Sequence, residues 1–122
     1  MESQIYRSNI ISVNEGQNKS QSNGINYIDV KRASATLRAI NHKLRQAIIK
    51  LLEEKKGMTV TEIYVKLRIE QSVASQHLAI LRRAEFVKTD RDGKNIHYNL
   101  NYTRLDEVNV FIKHLLKTGE AE

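Results

Sequence analysis

The stretch 71-QSVASQHLAILRRAEFV-87 has two edges of opposite chemistry. Stepped at about 100° per residue, Ser72, Gln76 and Arg83 share one side of a helix, with Ser75 and Ala79 beside them. Ala74, Leu78 and Leu81 share the opposite side. Ser75 and His77 lie about 160° apart, too far round one helix to form a nucleophile–base pair. A catalytic Ser/His site is therefore unsupported. His77 leans toward the apolar edge and is expected to pack there, with one ring nitrogen bonded to nearby backbone or side chain. One edge holds the helix down; the other faces out.

Upstream, Thr59 followed three residues later by Glu62 is a capping box for a short helix whose Ile63 and Leu67 face inward. The break Arg68-Ile69-Glu70 then leads into the opening stretch, which gives a helix-turn-helix outline. An αα-hairpin with no ligand has the same outline. Earlier still, the helical pattern begins near Tyr27 and carries Ile28, Leu37 and Ile40. Asn41 is the expected N-cap of a second helix, striped by Leu44, Ile48, Leu51 and Leu52 and ending near Lys55-Lys56-Gly57.

After Ala84 the period changes to two. Val87 and Thr89, then Ile96, Tyr98 and Leu100, alternate around Asp92-Gly93, a strong hairpin signal. A two-residue turn there pairs Arg91 with Lys94, Thr89 with Ile96 and Val87 with Tyr98. Like charges across the tip would repel, and a bound anion would relieve them. From Asp106 to Lys117 a last helix follows. Its Leu105, Val108, Phe111, Ile112, Leu115 and Leu116 cover an arc of about 140°, wide for one small core. A second copy of the chain is the simplest partner for the surplus.

The chain has 122 residues, enough for one domain, and 28% of them are charged. Its net charge of +6 is uneven. Residues 31–100 hold 15 Lys/Arg against 7 Asp/Glu, while the remainder is slightly acidic. A basic centre favours a polyanionic partner. There is no cysteine, which removes disulfides, thiolate metal sites and thiol redox sensing and fits a reducing, cytoplasmic setting. No signal peptide or apolar run of membrane-spanning length is visible. Fifteen of the first 26 residues are Ser, Asn, Gln or Gly, the composition of a tail that cannot bury itself. The expected division is a polar tail over 1–26, one domain over 27–118, and a short tail over 119–122.

The polar edge suits base readout by Gln71, Ser72, Val73, Ser75 and Gln76. Gln can bond adenine bidentately, Ser bonds base or phosphate, and an exposed Val can touch a thymine methyl. Backbone contacts would come from Lys66, Arg68, Arg82, Arg83, Lys88, Arg91 and Lys94, since phosphate contacts position and base contacts specify.

The run Ser72-x-x-Ser75-x-His77-Leu78-x-x-Leu81, followed by Phe86-Val87, Gly93, Tyr98 and Leu100, resembles the ArsR/SmtB family of bacterial transcriptional repressors. Ile40, Arg45, Ile48 and Leu52 match that family's second helix, and the resemblance covers roughly residues 35–116. It implies a mostly α fold with a small β-hairpin, a winged helix-turn-helix. It further implies a homodimer joined by the terminal helices, bound to an imperfect palindrome of double-stranded DNA. Residues 71–83 would enter the major groove, with the wing, residues 86–100, on the flank.

Three features depart from the family. Lys43 stands where the second helix usually starts on proline, and Glu85 where the recognition helix usually ends on glycine. The family's terminal-helix metal positions align with Tyr102, Arg104, Leu115 and Thr118, which are poor ligands. Asp106 and His114 lie about 12 Å apart along one helix, too far to share an ion. No metal or other cofactor is expected, and the effector is not specified. The competing reading is a winged-helix adaptor that binds protein rather than DNA. The uncharged reading edge and basic flanks disfavour it. No clustered acid–base pair or phosphate loop supports an enzyme.

Overall fold

The computed structural model describes residues 24–117. The tails expected over 1–26 and 119–122 therefore lie, apart from residues 24–26, outside the described residues, as does Thr118. Five helices and three short strands follow in order: α1 (Tyr27–Ile40), α2 (Lys43–Glu54), β1 (Met58–Thr59), α3 (Val60–Leu67), α4 (Gln71–Arg83), β2 (Val87–Asp92), β3 (Asn95–Leu100) and α5 (Tyr102–Leu116). The chain divides into two compact units, one through Ser34 and one from Ala35. In the first, Asn26 caps α1 by accepting from the Ile28 and Asp29 amides, at 3.1 Å each. Ile25, Tyr27, Ile28 and Val30 are exposed there.

The second unit holds the core. Ile48, Leu51 and Leu52 of α2, Ile63 of α3 and Ala74, Leu78 and Leu81 of α4 are buried, with Phe86, Val87, Leu100 and Val108. These are the stripes that the 3.6-residue period picks out. The α2 N-cap differs from expectation by one residue. His42, not Asn41, takes the extended cap conformation, and its Nδ1 accepts from the Leu44 amide. At the other end Lys55 caps in an extended conformation, and Gly57 takes its positive φ two residues later, as the chain turns into β1.

The sheet order is β1-β3-β2, all antiparallel. β1 gave no sequence signal, because two residues carry no period. The hairpin register differs from the expected one by two residues. Val87 pairs with Leu100, Thr89 with Tyr98, Arg91 with Ile96 and Asp92 with Asn95, so Gly93-Lys94 forms the turn. Gly93, at φ +65, supplies the positive φ at the first loop position, whereas an Asp92-Gly93 turn of type I′ would have forced Asp92 there as well. The observed register also sets buried Val87 against buried Leu100. A two-residue slip preserves the inward face, which is why the alternation was legible and the pairing was not. Arg91 and Lys94 are not opposed, so the anion inferred from their repulsion loses its basis.

Candidate nucleic-acid interface

α4 is held at both ends by backbone geometry. Before it, α3 closes with Arg68 in the left-handed conformation at φ 59, its amide bonded to the Val65 carbonyl and that of Ile69 to the Tyr64 carbonyl. This is a Schellman closure, and it forms the turn between the two helices. The end of α4 repeats the motif. The Glu85 amide donates to Arg82 and the Phe86 amide to Leu81, with Glu85 at φ 68. Phe86 and Leu81, both fully buried, make the hydrophobic contact that accompanies the motif. Glu85 thus adopts the left-handed conformation that favours glycine.

α4 is also clasped from two other elements. Arg45 of α2, 8% exposed, donates from Nε to the Ala39 carbonyl at 2.6 Å and from one terminal nitrogen to the Arg38 carbonyl at 3.1 Å. Its other terminal nitrogen lies 3.1 Å from His77 Nδ1 on α4. A guanidinium only donates, so Nδ1 accepts and the ring proton sits on Nε2. Burying this charge is tolerable because two carbonyls at the negative end of α1 and one imidazole lone pair satisfy it. The His42 ring packs against that of His77 at a tilt of 45°, with centroids 4.7 Å apart. Burial first, then His42, then Arg45 hold the His77 pKa below its usual value. At the far end, Arg104 Nε donates to the Ala84 carbonyl at 3.1 Å and Asn101 Nδ2 to the Glu85 carbonyl at 3.0 Å. The start of α5 is thereby bonded to the end of α4.

On this fixed helix, Gln71, Ser72, Ser75 and Gln76 are exposed, while Val73, expected to stand fully out, is half-buried. Arg82 and Arg83 are exposed in the last turn. Ser75, Ala79, Arg82 and Arg83 share one shallow groove with Tyr98 of the wing, so part of the polar edge and two cations lie together. Lys66, Arg68, Lys88, Arg91 and Lys94 are all exposed; the Arg91 guanidinium reaches back to the Gly93 carbonyl at 3.4 Å. The neutral face with cations at its end can donate to and accept from base edges while attracting phosphates.

The six apolar residues assigned to the last helix divide by role. Val108 is buried, and Leu105 and Ile112 pack against the core. Phe111, Leu115 and Leu116 are 46–62% exposed, as is Val110 at 55%. α5 starts at Tyr102, four residues earlier than expected, and is capped by Asn101, whose Oδ1 accepts from the Arg104 amide. Sequence reasoning missed the roles of Asn101, Arg104 and His42. Asn101, just after the strand alternation ends at Leu100, was the one available signal.

A model described as bacterial regulatory protein, arsR family, matches residues 42–89. The transcriptional repressor PagR of Bacillus anthracis is 30% identical over 84 residues, 69% of this chain and 84% of PagR. Its crystal structure superposes with a TM-score of 0.57 at 28% identity, covering 71% of this chain and 99% of that one. The transcriptional repressor SdpR of Bacillus subtilis (strain 168) is 35% identical over 87 residues, 70% of this chain and 93% of SdpR. The transcriptional activator HlyU of Vibrio cholerae is 32% identical over 74 residues, 61% of this chain and 68% of HlyU.

Proposed function

The chain belongs to the arsR family of bacterial regulatory proteins and is a winged-helix DNA-binding regulator; from that premise we propose that it is a homodimeric repressor reading its operator through α4. The observation that carries this reading is the make-up of α4: an exposed uncharged edge, Gln71, Ser72, Ser75 and Gln76, ending in the exposed pair Arg82-Arg83 beside the wing. Gln71, Ser72, Val73, Ser75 and Gln76 read bases in the major groove. Lys66, Arg68, Arg82, Arg83, Lys88, Arg91 and Lys94 meet the phosphates.

A second copy packs on Phe111, Leu115 and Leu116, and the dimer spans an imperfect palindrome with half-sites about one helical turn apart. Repression, rather than activation, follows PagR and SdpR, both transcriptional repressors. With no cysteine in the chain, release does not pass through a thiolate.

Fluorescence anisotropy against a random duplex pool at two salt concentrations tests the reading. Binding that weakens steeply with salt, followed by enrichment of a two-fold-related site, is expected. A chain that binds no duplex at low salt sinks the proposal.

A further inference from the structure

We infer that Arg45, His77 and His42 form a positioning cluster that holds α4 in its DNA-competent seat, and that acidification weakens DNA binding by breaking it. The inference rests on the reading that α4 enters DNA. Among the described hydrogen bonds, that between Arg45 and His77 is the one that joins a side chain of α2 to a side chain of α4. It places a fixed donor one residue after Gln76, inside the proposed reading turns.

Arg45 itself has little freedom. Its other two bonds go to consecutive carbonyls at the end of α1, so the guanidinium is fixed from the α1 and α2 side. His77 is the movable partner, because its ring nitrogen can accept a proton from solvent. Once Nδ1 carries that proton it is a donor facing a donor, and the imidazolium stands beside a guanidinium that cannot discharge. His42, whose ring centroid lies 4.7 Å from that of His77, also opposes charge on the His77 ring. The groups acting electrostatically on His77 are these two, both from the α2 side. α1 contributes carbonyls to Arg45, and α3 and β2, which also pack on α4, contribute no charged group to the shift. No carboxylate among those groups compensates the added charge. With Arg45 anchored, the repulsion acts on α4.

The sign separates this device from ordinary electrostatics. Protonating histidines on a DNA-binding protein adds positive charge and should tighten its hold on phosphate. The cluster predicts the reverse.

The experiment is anisotropy of the full chain on the duplex it selects from a random pool at pH 8, followed from pH 8 to 5.5 at fixed ionic strength. His77→Gln keeps an oxygen able to accept from Arg45 and does not titrate. His42→Asn keeps a capping acceptor and removes the second imidazole. Wild type should lose affinity on the order of tenfold per pH unit once the ring titrates. His77→Gln should bind comparably at pH 8 and hold or tighten on acidification, and in His42→Asn the fall should begin at a higher pH than in wild type. A wild-type profile that is flat or tightens, or a parallel fall in His77→Gln, overturns the inference while leaving DNA binding intact. A fall in His42→Asn that begins at the wild-type pH removes His42 from the cluster. Loss of helical circular dichroism alongside loss of binding at pH 5.5 assigns the effect to unfolding and also overturns it. A chain that selects no duplex at pH 8 removes the reading of α4 itself.

Discussion

Asn101 Nδ2 donates to the Glu85 carbonyl oxygen at 3.0 Å, so the residue that starts α5 also closes the end of α4. Its backbone amide donates to the Phe86 carbonyl at 2.9 Å, and its Oδ1 accepts from the Arg104 amide. One side chain thus caps one helix and satisfies a carbonyl in the turn that closes another. Asn101→Ala removes both roles and should destabilise the fold by about 1–3 kcal/mol in urea unfolding. Asn101→Asp keeps the cap acceptor and loses the donor, and should fall between. An alanine variant as stable as wild type would show that water replaces both bonds without loss.

Glu85 sits at φ 68, a conformation that costs a side-chain-bearing residue about 1–2 kcal/mol. Glu85→Gly relieves that strain, against the larger entropy that glycine gains when unfolded. A net stabilisation of about 0.5–1 kcal/mol is expected, read as a rise in the thermal midpoint. A lower midpoint would mean that the glutamate makes a compensating interaction.

The His77 pKa is lowered by burial, then by His42 and Arg45, so between the folded value and the usual value near 6.5 the unfolded chain binds the extra proton. Stability therefore rises with pH through that window and is lost as pH falls into it. Denaturant midpoints measured from pH 8 downward should drop for wild type, and His77→Gln should remove part of the slope. Identical slopes in the two proteins would place the titration elsewhere.

Within the proposed interface, readers and anchors should separate. Gln76→Ala should cost about 1–3 kcal/mol on the selected site and relax the choice of base there. Arg91→Ala should weaken all sequences alike and flatten the salt dependence. Selection from a random pool with each variant distinguishes the two, and the reverse pattern would exchange their roles.

The two sides of α5 should separate as well. Val108, 7% exposed, belongs to the chain's own core, and Val108→Ala should cost about 1–3 kcal/mol in unfolding free energy. Phe111 and Leu115, at 46% and 60%, are uncovered. Phe111→Asp or Leu115→Asp should leave the protomer folded and halve the mass seen by light scattering at micromolar concentration. A wild-type chain that already scatters as a 14.1 kDa species would remove the dimer.

Much of the architecture was legible because local chemistry dictates it. The capping box at Thr59 and Glu62 formed as read, with reciprocal bonds of 3.2 and 2.9 Å. The extent of α4, Gln71–Arg83, followed from its periodicity and from the break at Arg68-Ile69-Glu70. The wing's inward face followed from alternation. Its register did not, because slips of two residues present the same face and differ only in which pairs meet across the strands.

For the candidate site, the sequence by itself determined which side chains stand on the outer edge of α4, since angular position on a helix depends on spacing alone. It also separated Ser75 from His77 and so removed a catalytic pairing. Tertiary structure decided what holds that edge in place. Arg45 and His77 are 32 residues apart, and Arg104 and Ala84 are 20 apart. Hydrogen bonds of such separation leave no periodic trace, because they depend on how packed helices bring distant groups within 3.1 Å. The division of α5 into a covered and an uncovered side was decided in the same way. Its apolar arc is continuous in sequence, and only the position of the core beneath it determines which residues are already buried.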